Sequence, residues 1–316
     1  MELEFVGQLR KRARVNRHVL LGIGDDAAVL DSTGGNTVLT VDVLTEGVDF
    51  LLETTSPQLI GRKAIAVNLS DLTAMAAKPV AVLVGVVLPK QNAKLLAEQI
   101  FDGMMPLLEK YDVALVGGDT NTWDGGLVLS VTAIGKTTKN GLLRRNGAMP
   151  GDRILVTGTL GGSILQRQFL FEPRVRESLL LNERFVIHAA IDISDGLSLD
   201  LARLAGESGL GTIINVADVP VSEDAVRLAK QEQLAAQEQT EKSPVTRTPL
   251  EHALYDGEDF ELVLAVPPAE AERLVTMQPL DVPLTDIGEF VAEQGQWLRT
   301  PDGTCQKITP DGFQHE

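Results

Sequence analysis

Cysteine is almost absent from this chain, and its scarcity excludes two kinds of site. Cys305 is the only cysteine among the 316 residues. One thiol cannot form an intramolecular disulfide, nor can it supply the several thiolates of a cysteine-based zinc site. The four histidines show neither metal-ligand spacing nor an obvious nucleophile partner. We therefore expect surface or core roles for the histidines.

Positive charge and long apolar runs are also scarce. Lys and Arg number 28 against 44 Asp and Glu, which gives a net charge of −16. Such a charge disfavours nucleic acid or an anionic membrane as a partner. The longest apolar run, 80–88, is far shorter than the ~20 residues of a membrane-spanning helix. Because 1–4 also lacks the basic and then apolar pattern of a secretory signal, we expect a cytoplasmic protein.

The length of the chain and the order of its apolar runs predict two domains. A chain of 316 residues exceeds the size at which a single core stops growing. A Met-Pro-Gly-Asp sequence at 149–152 resembles a boundary, after which a second α/β pattern begins. Helices and strands intermix without strict alternation, which favours an α+β fold over a doubly wound sheet. We predict domains at 1–146 and 147–316.

Periodicity and turn residues predict the individual elements. In the first half we expect helices at 2–14, from Ser56-Pro57 and at 93–108, and strands at 27–30, 38–43, 80–88, 113–116 and 127–134. In the second half we expect strands at 153–157, 189–193, 212–216 and 260–266, helices at 179–188 and 197–205, and a helix from Ser222 that dissolves within 237–249.

Aspartate, by contrast, recurs where strand-like runs end. Carboxylates set in such turns suit hard divalent cations and phosphate chains. If the substrates are anions, bound cations must also reverse the field of so acidic a chain. Six such stretches occur, at 22–26, 41–42, 70–71, 117–119, 191–196 and 256–259.

Each stretch also has a purely structural interpretation. Asp26 could accept backbone hydrogen bonds in a turn, although the adjacent Asp25 repels it unless a cation or donors compensate. Asp71 could lie on a solvated helix face, and Asp119 could belong to a tight turn. Ser or Asp at 194–195 could cap a helix, but capping does not explain Asp192. The sequence alone leaves these alternatives open.

In their order and spacing, seven segments resemble the thiamine-monophosphate kinase family of the aminoimidazole-ribonucleotide-synthase-like superfamily. Any one segment is weakly diagnostic, whereas the ordered series is highly specific and spans nearly the whole chain. The segments lie at 22–30 (GIGDDAAVL), 40–50 (TVDVLTEGVDF), 66–75 (AVNLSDLTAM), 117–121 (GGDTN), 143–161 (LRRNGAMPGDRILVTGTLG), 189–205 (AAIDISDGLSLDLARLA) and 256–267 (DGEDFELVLAVP).

The resemblance implies a fold and an activity. Residues 1–146 would bind ATP and Mg²⁺ and pair with a second subunit in a β-barrel-like core of a homodimer. Residues 147–316 would form an α/β domain that completes the active site. The implied reaction is ATP-dependent phosphorylation of thiamine monophosphate to thiamine diphosphate by direct in-line transfer, with several Mg²⁺ ions.

The resemblance also implies roles for individual residues. No protein base is expected, and Asp71 and Asp119 are expected to matter most. The implied metal ligands are Asp26, Thr40, Asp42, Asp71, Asp119, Asp192 and Asp195. The implied ATP contacts are Gly118, Asp119, Arg145 and Ser194, and the implied substrate contacts are Asp49, Glu258 and Phe313.

Three departures from the family pattern keep other functions open. Asp49 stands where the family usually has histidine, Val41 replaces a hydroxyl residue, and Tyr255-Asp256 replaces small residues. Apart from Val41, these positions concern the substrate end. The alternatives are another ATP-dependent enzyme of the superfamily, such as a purine-synthesis ligase, and a non-catalytic nucleotide-binding homologue.

Overall fold

A computed structural model describes residues 19–22, 25–32, 35–238 and 246–314. The chain divides into two compact units. The N-terminal unit comprises the described residues up to Leu142 together with Phe169–Leu179. The C-terminal unit comprises Leu143–Gln168 and the described residues from Leu180 onward. The fold is thus a two-domain α+β fold, as predicted, while the functional roles assigned to 1–146 and 147–316 stay predictions.

The N-terminal unit contains an open, mixed sheet. Its order is β1-β2-β3-β6-β4-β5, so β5 is an edge strand whose partner within the chain is β4. The β4–β5 pair is parallel and the other pairs are antiparallel. The strands are β1 (Val19–Leu21), β2 (Ala28–Leu30), β3 (Thr37–Thr45), β4 (Lys78–Pro89), β5 (Ala114–Trp123) and β6 (Val128–Lys136).

Two long helices, α1 (Pro57–Ala74) and α2 (Ala93–Tyr111), accompany this sheet. The hydroxyl of Ser56 accepts the Leu59 N–H at 3.4 Å, so the predicted cap and the proline after it both stand where expected. α1 packs against β3 and β6, and it also packs against α2. The helices approach so closely that a methyl group on Gly61 would lie 2.0 Å from the carbonyl oxygen of Ile100. This packing holds α1, and the polar groups near its end, against the sheet.

The C-terminal unit contains a second mixed sheet of seven strands in the order β13-β12-β9-β11-β7-β10-β8. Its core lies where the helix Leu197–Glu207 packs on the strands Ala189–Asp192 and Gly211–Asn215. The strands are β7 (Arg153–Thr157), β8 (Ala189–Asp192), β9 (Gly211–Asn215), β10 (Leu262–Val266), β11 (Leu284–Val291), β12 (Gln296–Arg299) and β13 (Cys305–Ile308). Together with α1 and α2, the described residues form eight α-helices; the other six are α3 (Arg167–Leu170), α4 (Val175–Arg184), α5 (Leu197–Glu207), α6 (Glu223–Glu238), α7 (Pro249–Tyr255) and α8 (Pro268–Met277).

Most predicted elements are present, and one differs in kind. The sequence predicted a strand at 113–116 followed by a tight glycine turn, but β5 continues unbroken through Gly117-Gly118-Asp119 to Trp123. The glycines allow close pairing rather than a turn, because a methyl group on Gly118 would lie 1.9 Å from the carbonyl oxygen of Val84. The predicted helix at 2–14 and part of the predicted excursion at 237–249 lie outside the described residues.

No α-helix in the described ranges combines the length and apolar character needed to cross a bilayer. The predicted cytoplasmic location stays a prediction.

Candidate functional site

In the N-terminal unit, three of the predicted metal ligands lie close together. Asp26 immediately precedes Ala27 and β2 and is buried, with 8% of its surface exposed. Asp71 lies in the last turn of α1 and is half-buried. One carboxylate oxygen of each lies within 4.8 Å of the other. The hydroxyl of Thr40 on β3 donates a hydrogen bond to Asp71. Residues from a loop, a strand and a helix thus converge on one spot.

The strand alternation explains how Asp42 joins this face. Side chains two residues apart on a strand share a face, so Thr40 and Asp42 both face α1. Asn68 of α1 accepts the backbone N–H of Asp42 at 3.3 Å, and its amide donates to the carbonyl of Ala64 at 3.0 Å. Asn68 and Asp71 are three positions apart and therefore lie on the same side of the helix. Sequence reasoning missed Asn68, although this spacing was the available signal.

Asp119 does not join this set within one chain. Asp42 pairs with Val131, Val131 with Val84, and Val84 with Gly118. Residues paired across a sheet share a face, so Gly118 faces the helices with Asp42. Asp119, the next residue, faces the opposite side and is exposed.

The cluster at Asp26 and Asp71 has the chemistry of a hard-cation site. Two carboxylates so close repel each other unless a cation or hydrogen-bond donors compensate, and burial adds to that cost. The side-chain atoms on offer are carboxylate and hydroxyl oxygens, the ligands that Mg²⁺ prefers. The three side chains Asp26, Asp71 and Thr40 therefore fit a divalent cation.

Asp49, a predicted substrate residue, lies in the turn that follows β3. Its carboxylate accepts the Thr45 N–H at 2.6 Å, and its carbonyl accepts from the ammonium of Lys63 at 2.9 Å. Lys63 is fully buried in α1 and lies over the ring of Phe169, 5.1 Å from the ring centre. Asp49 is therefore held by its backbone as well as by its side chain. Lys63 was missed because a lysine in an apolar helix gives no sign of which carbonyl it reaches.

In the C-terminal unit, the predicted acids lie at the end of β8 and directly after it. Asp192 is the last residue of that strand and is buried, with 3% exposed. The cap of the following helix α5 is Gly196, at φ +114°, and not Ser194 or Asp195. Capping therefore does not account for the acids before α5. Glycine is needed at 196 because a side chain rarely adopts that backbone conformation.

Asp195 belongs to an ion network that the sequence did not reveal. Arg203 donates to the carboxylates of both Asp195 and Asp200, and the Asp195 N–H donates to Asp200 at 2.8 Å. Burial raises the pKa of Asp200 to about 7, and the charge of Asp195 adds to this, while Arg203 and Arg145 oppose it. Asp200 and Arg203 are three apart on α5, which was the only signal for the pair.

Three separate segments meet beside this network. The N–H groups of Glu258 and Phe260 donate to the carbonyls of Ser194 and Ile193, each at 2.7 Å. The N–H of Phe313 donates to the carbonyl of Asp195 at 2.9 Å, and the Phe313 side chain is 49% exposed. The structure thus brings together four residues predicted from distant parts of the sequence: Ser194, Asp195, Glu258 and Phe313.

Arg145, the predicted phosphate-binding cation, lies in a short 3₁₀ turn at Arg145–Gly147. The hydroxyl of Ser208, which follows α5, donates to its carbonyl at 2.7 Å. The positive charge of Arg145 opposes the rise in the pKa of Asp200, which accepts the N–H of Asp195.

Comparison with known proteins covers most of the chain. Residues 24–137 match the model of the AIR synthase related protein N-terminal domain, and residues 149–299 match that of the C-terminal domain. The solved structure described as AaThiL complexed with AMPPCP and TMP superposes with a TM-score of 0.79 at 28% identity, covering 100% of this chain and 97% of the other.

Curated relatives match over their full lengths. The thiamine-monophosphate kinase of Escherichia coli K12 is 32% identical over 99% of this chain and 98% of its own. That of Rhodopirellula baltica is 42% identical over 100% of this chain and 97% of its own. Because this similarity extends from end to end, the chain belongs to the thiamine-monophosphate kinase family.

Proposed function

We propose that this chain catalyses the ATP- and Mg²⁺-dependent phosphorylation of thiamine monophosphate to thiamine diphosphate. The observation that carries the proposal is the convergence of Asp26, Asp71 and Thr40 on one cation-binding spot, in a chain whose full-length relatives are named for this reaction. A neighbour of the same fold was solved with AMPPCP and TMP.

The reaction needs no protein base. The second pKa of a phosphate monoester is about 6, so the acceptor is already largely ionised near neutral pH. One of its oxygens attacks the γ-phosphorus of ATP, and ADP leaves from the opposite side. Among the described residues, His188 is paired with Asp152 and His252 with Asp256.

Two polyanions must nevertheless be held together by an acidic protein. Bound Mg²⁺ would neutralise part of the phosphate charge and stabilise the charge of the transition state. Asp26, Thr40, Asp42 and Asp71 would hold it in the N-terminal unit. In the C-terminal unit, the resemblance assigns Asp192 and Asp195 to the metal, and Ser194 and Arg145 to the nucleotide.

The substrate end would use residues that suit a cation beside an aromatic ring. Thiamine carries a positively charged thiazolium. In the C-terminal unit, the carboxylate of Glu258 would favour that charge, and the exposed ring of Phe313 would offer a face for it. In the N-terminal unit, the carboxylate of Asp49 is the predicted substrate contact.

We further propose that the protein acts as a homodimer through the sheet face opposite α1 and α2. On this face Val41 and Val43 are more than half exposed, and Leu83 is 38% exposed. The edge strand β5 is exposed along its whole length. A second copy is the proposed occupant because the family resemblance implies a homodimer and this face is apolar and adjoins the edge strand β5.

The deciding experiment incubates the purified protein with thiamine monophosphate, ATP and Mg²⁺ and separates the thiamine phosphates by chromatography. We expect thiamine diphosphate and ADP in equal amounts, and no product when Mg²⁺ is chelated. Binding of ATP without any product, across a range of pH and Mg²⁺ concentrations, would favour the non-catalytic homologue instead.

A further inference from the structure

A buried carboxylate, Asp259, is held by a glycine-rich turn and takes no part in the chemistry above. It is 2% exposed. Its oxygens accept the Gly161 N–H at 2.9 and 3.0 Å and the Ser163 hydroxyl at 2.6 Å. Arg167 donates to it as well and also to Ser163, at 2.9 Å. Three residues, Gly161, Ser163 and Arg167, thus fix one side chain.

The residues on either side of Asp259 have unusual backbone conformations. Glu258 has φ +65° and Phe260 has φ +49°, both in the left-handed region that side chains other than glycine rarely adopt. Such conformations persist only where the surroundings determine them. The N–H groups of these two residues donate to Ser194 and Ile193, so the strained turn is also joined to the segment that follows Asp192.

The Gly161-Gly162 turn, which holds Asp259, is packed too tightly to move. A methyl group on Gly161 would lie 2.6 Å from the backbone nitrogen of Ala253 in α7. One on Gly162 would lie 2.5 Å from that of Ala225 in α6. Both glycines also have positive φ. The Gly161-Gly162 turn is therefore packed tightly between α6 and α7. Because Asp259 is bound to this turn, it fixes the backbone of its neighbours Glu258 and Phe260.

We propose that Asp259 is a positioning residue for the phosphate acceptor: its buried carboxylate fixes the left-handed turn that presents Glu258 to thiamine monophosphate. Loosening Asp259 then weakens binding of the acceptor while leaving the Mg²⁺-ATP contacts of the N-terminal unit unchanged. The inference rests on the proposed function, since it takes Glu258 as a contact of that substrate.

The test compares two buried hydroxyl groups, each of which donates a hydrogen bond to a buried carboxylate. Ser163 donates to Asp259, whereas Thr157 donates to Glu261. The Ser163 hydroxyl donates at 2.6 Å and accepts from Arg167. The Thr157 hydroxyl also donates at 2.6 Å and accepts from the N–H of Leu262 at 2.9 Å. Ser163→Ala and Thr157→Val each remove one such hydroxyl. Steady-state kinetics with each substrate varied in turn, and thermal unfolding, are measured for both variants.

We expect Ser163→Ala to raise the KM for thiamine monophosphate about three- to tenfold, the usual effect of losing one hydrogen bond. The KM for ATP should stay within about twofold, because a uniform binding loss on one substrate does not affect the other. Thr157→Val should lower the unfolding temperature to a similar extent but change neither KM. Should Ser163→Ala fail to fold, Arg167→Lys, which keeps the charge but not the guanidinium geometry, should show the same split.

Two results would count against the inference, and they are distinguishable. If Ser163→Ala and Thr157→Val behave alike, or if both KM values rise together, Asp259 is only structural and the proposed function survives. If the wild-type protein neither forms thiamine diphosphate nor is stabilised against heat by thiamine monophosphate, the proposed function fails and the positioning role fails with it.

Discussion

Asp42 and Asp119 lie on opposite faces of the same six-stranded sheet. The pairing of Asp42, Val131, Val84 and Gly118 along one row fixes this relationship, because Asp119 is the residue after Gly118. The backbone of the sheet separates any cation bound near Asp42 from Asp119 of the same chain. If both bind cations, as the family resemblance implies, they bind different ions.

Asp71→Asn alone should remove turnover while preserving the fold. The amide keeps the shape and the bond from Thr40 but loses the charge that a divalent cation requires. We expect kcat to fall at least about 100-fold, the size of effect seen when a transition-state charge loses one stabilising group. Asp124→Asn is the matched control, because Asp124 is an exposed acid of the same unit paired with Lys90. Retained activity in Asp71→Asn would remove Asp71 from the metal site.

Val43→Lys should dissociate the proposed dimer. Val43 is 55% exposed, so a lysine there is tolerated in a single chain but places a charge in an apolar interface. The control is Val226→Lys on α6, where the valine is 51% exposed in the other unit. Light scattering should report half the wild-type mass for Val43→Lys alone. A wild-type protein that is itself monomeric at micromolar concentration would contradict the dimer.

Two adjacent glycines of β5 should differ sharply in their tolerance of alanine. A methyl group on Gly118 would lie 1.9 Å from the Val84 carbonyl oxygen, whereas the nearest atom to one on Gly117 is a methyl of Leu83 at 3.8 Å. We expect Gly118→Ala to cost about 2–3 kcal/mol and to lower the unfolding temperature by roughly 5–10 °C. Gly117→Ala should be nearly neutral. Equal effects would mean that β4 and β5 are not paired in this register.

Asp200 should make stability depend on pH in a direction opposite to that of most carboxylates. Its pKa is raised from 3.8 to about 7, chiefly by burial, so the folded state binds this proton more tightly than the unfolded state. The contribution is fully present below about pH 4 and is lost as pH rises through about 7. Relative to Asp200→Asn, the wild type should therefore lose stability across that window in urea titrations without Mg²⁺. A difference independent of pH would refute the shift.

The sequence predicted most helices and strands well because helix caps, prolines and apolar runs depend only on neighbouring residues. Ser56-Pro57 begins α1 where a cap and a proline predict it, and the apolar run of β10 lies where expected. The glycine pair of β5 was misjudged because the same residues serve a turn or a close strand pair. Only the partner strand, which carries Val84, decides between them. That information is tertiary.

The site residues show the same difference between local and tertiary information. The ordered aspartates could be found from the sequence because they stand at the ends of apolar runs. The groups that hold them could not: Arg203 reaches Asp195 from the next helix, and Lys63 reaches the carbonyl of Asp49 from within an apolar one. Asp259 lies in the segment DGEDFELVLAVP, but nothing in the sequence shows that its partners are Gly161 and Ser163.

The segment Phe169–Leu179 has a consequence for how this chain can be divided. Although it follows β7 of the C-terminal unit in sequence, it belongs to the N-terminal unit, where Arg62 donates to the carbonyls of Phe169 and Phe171 at 2.9 and 2.6 Å. A fragment that ends at Leu142 would lack these acceptors, and a fragment that begins after Leu142 would contain a segment of the N-terminal unit. Neither half can therefore be transferred alone, because a gene fusion or exchange with its boundary after Leu142 would separate residues 169–179 from the unit in which they pack.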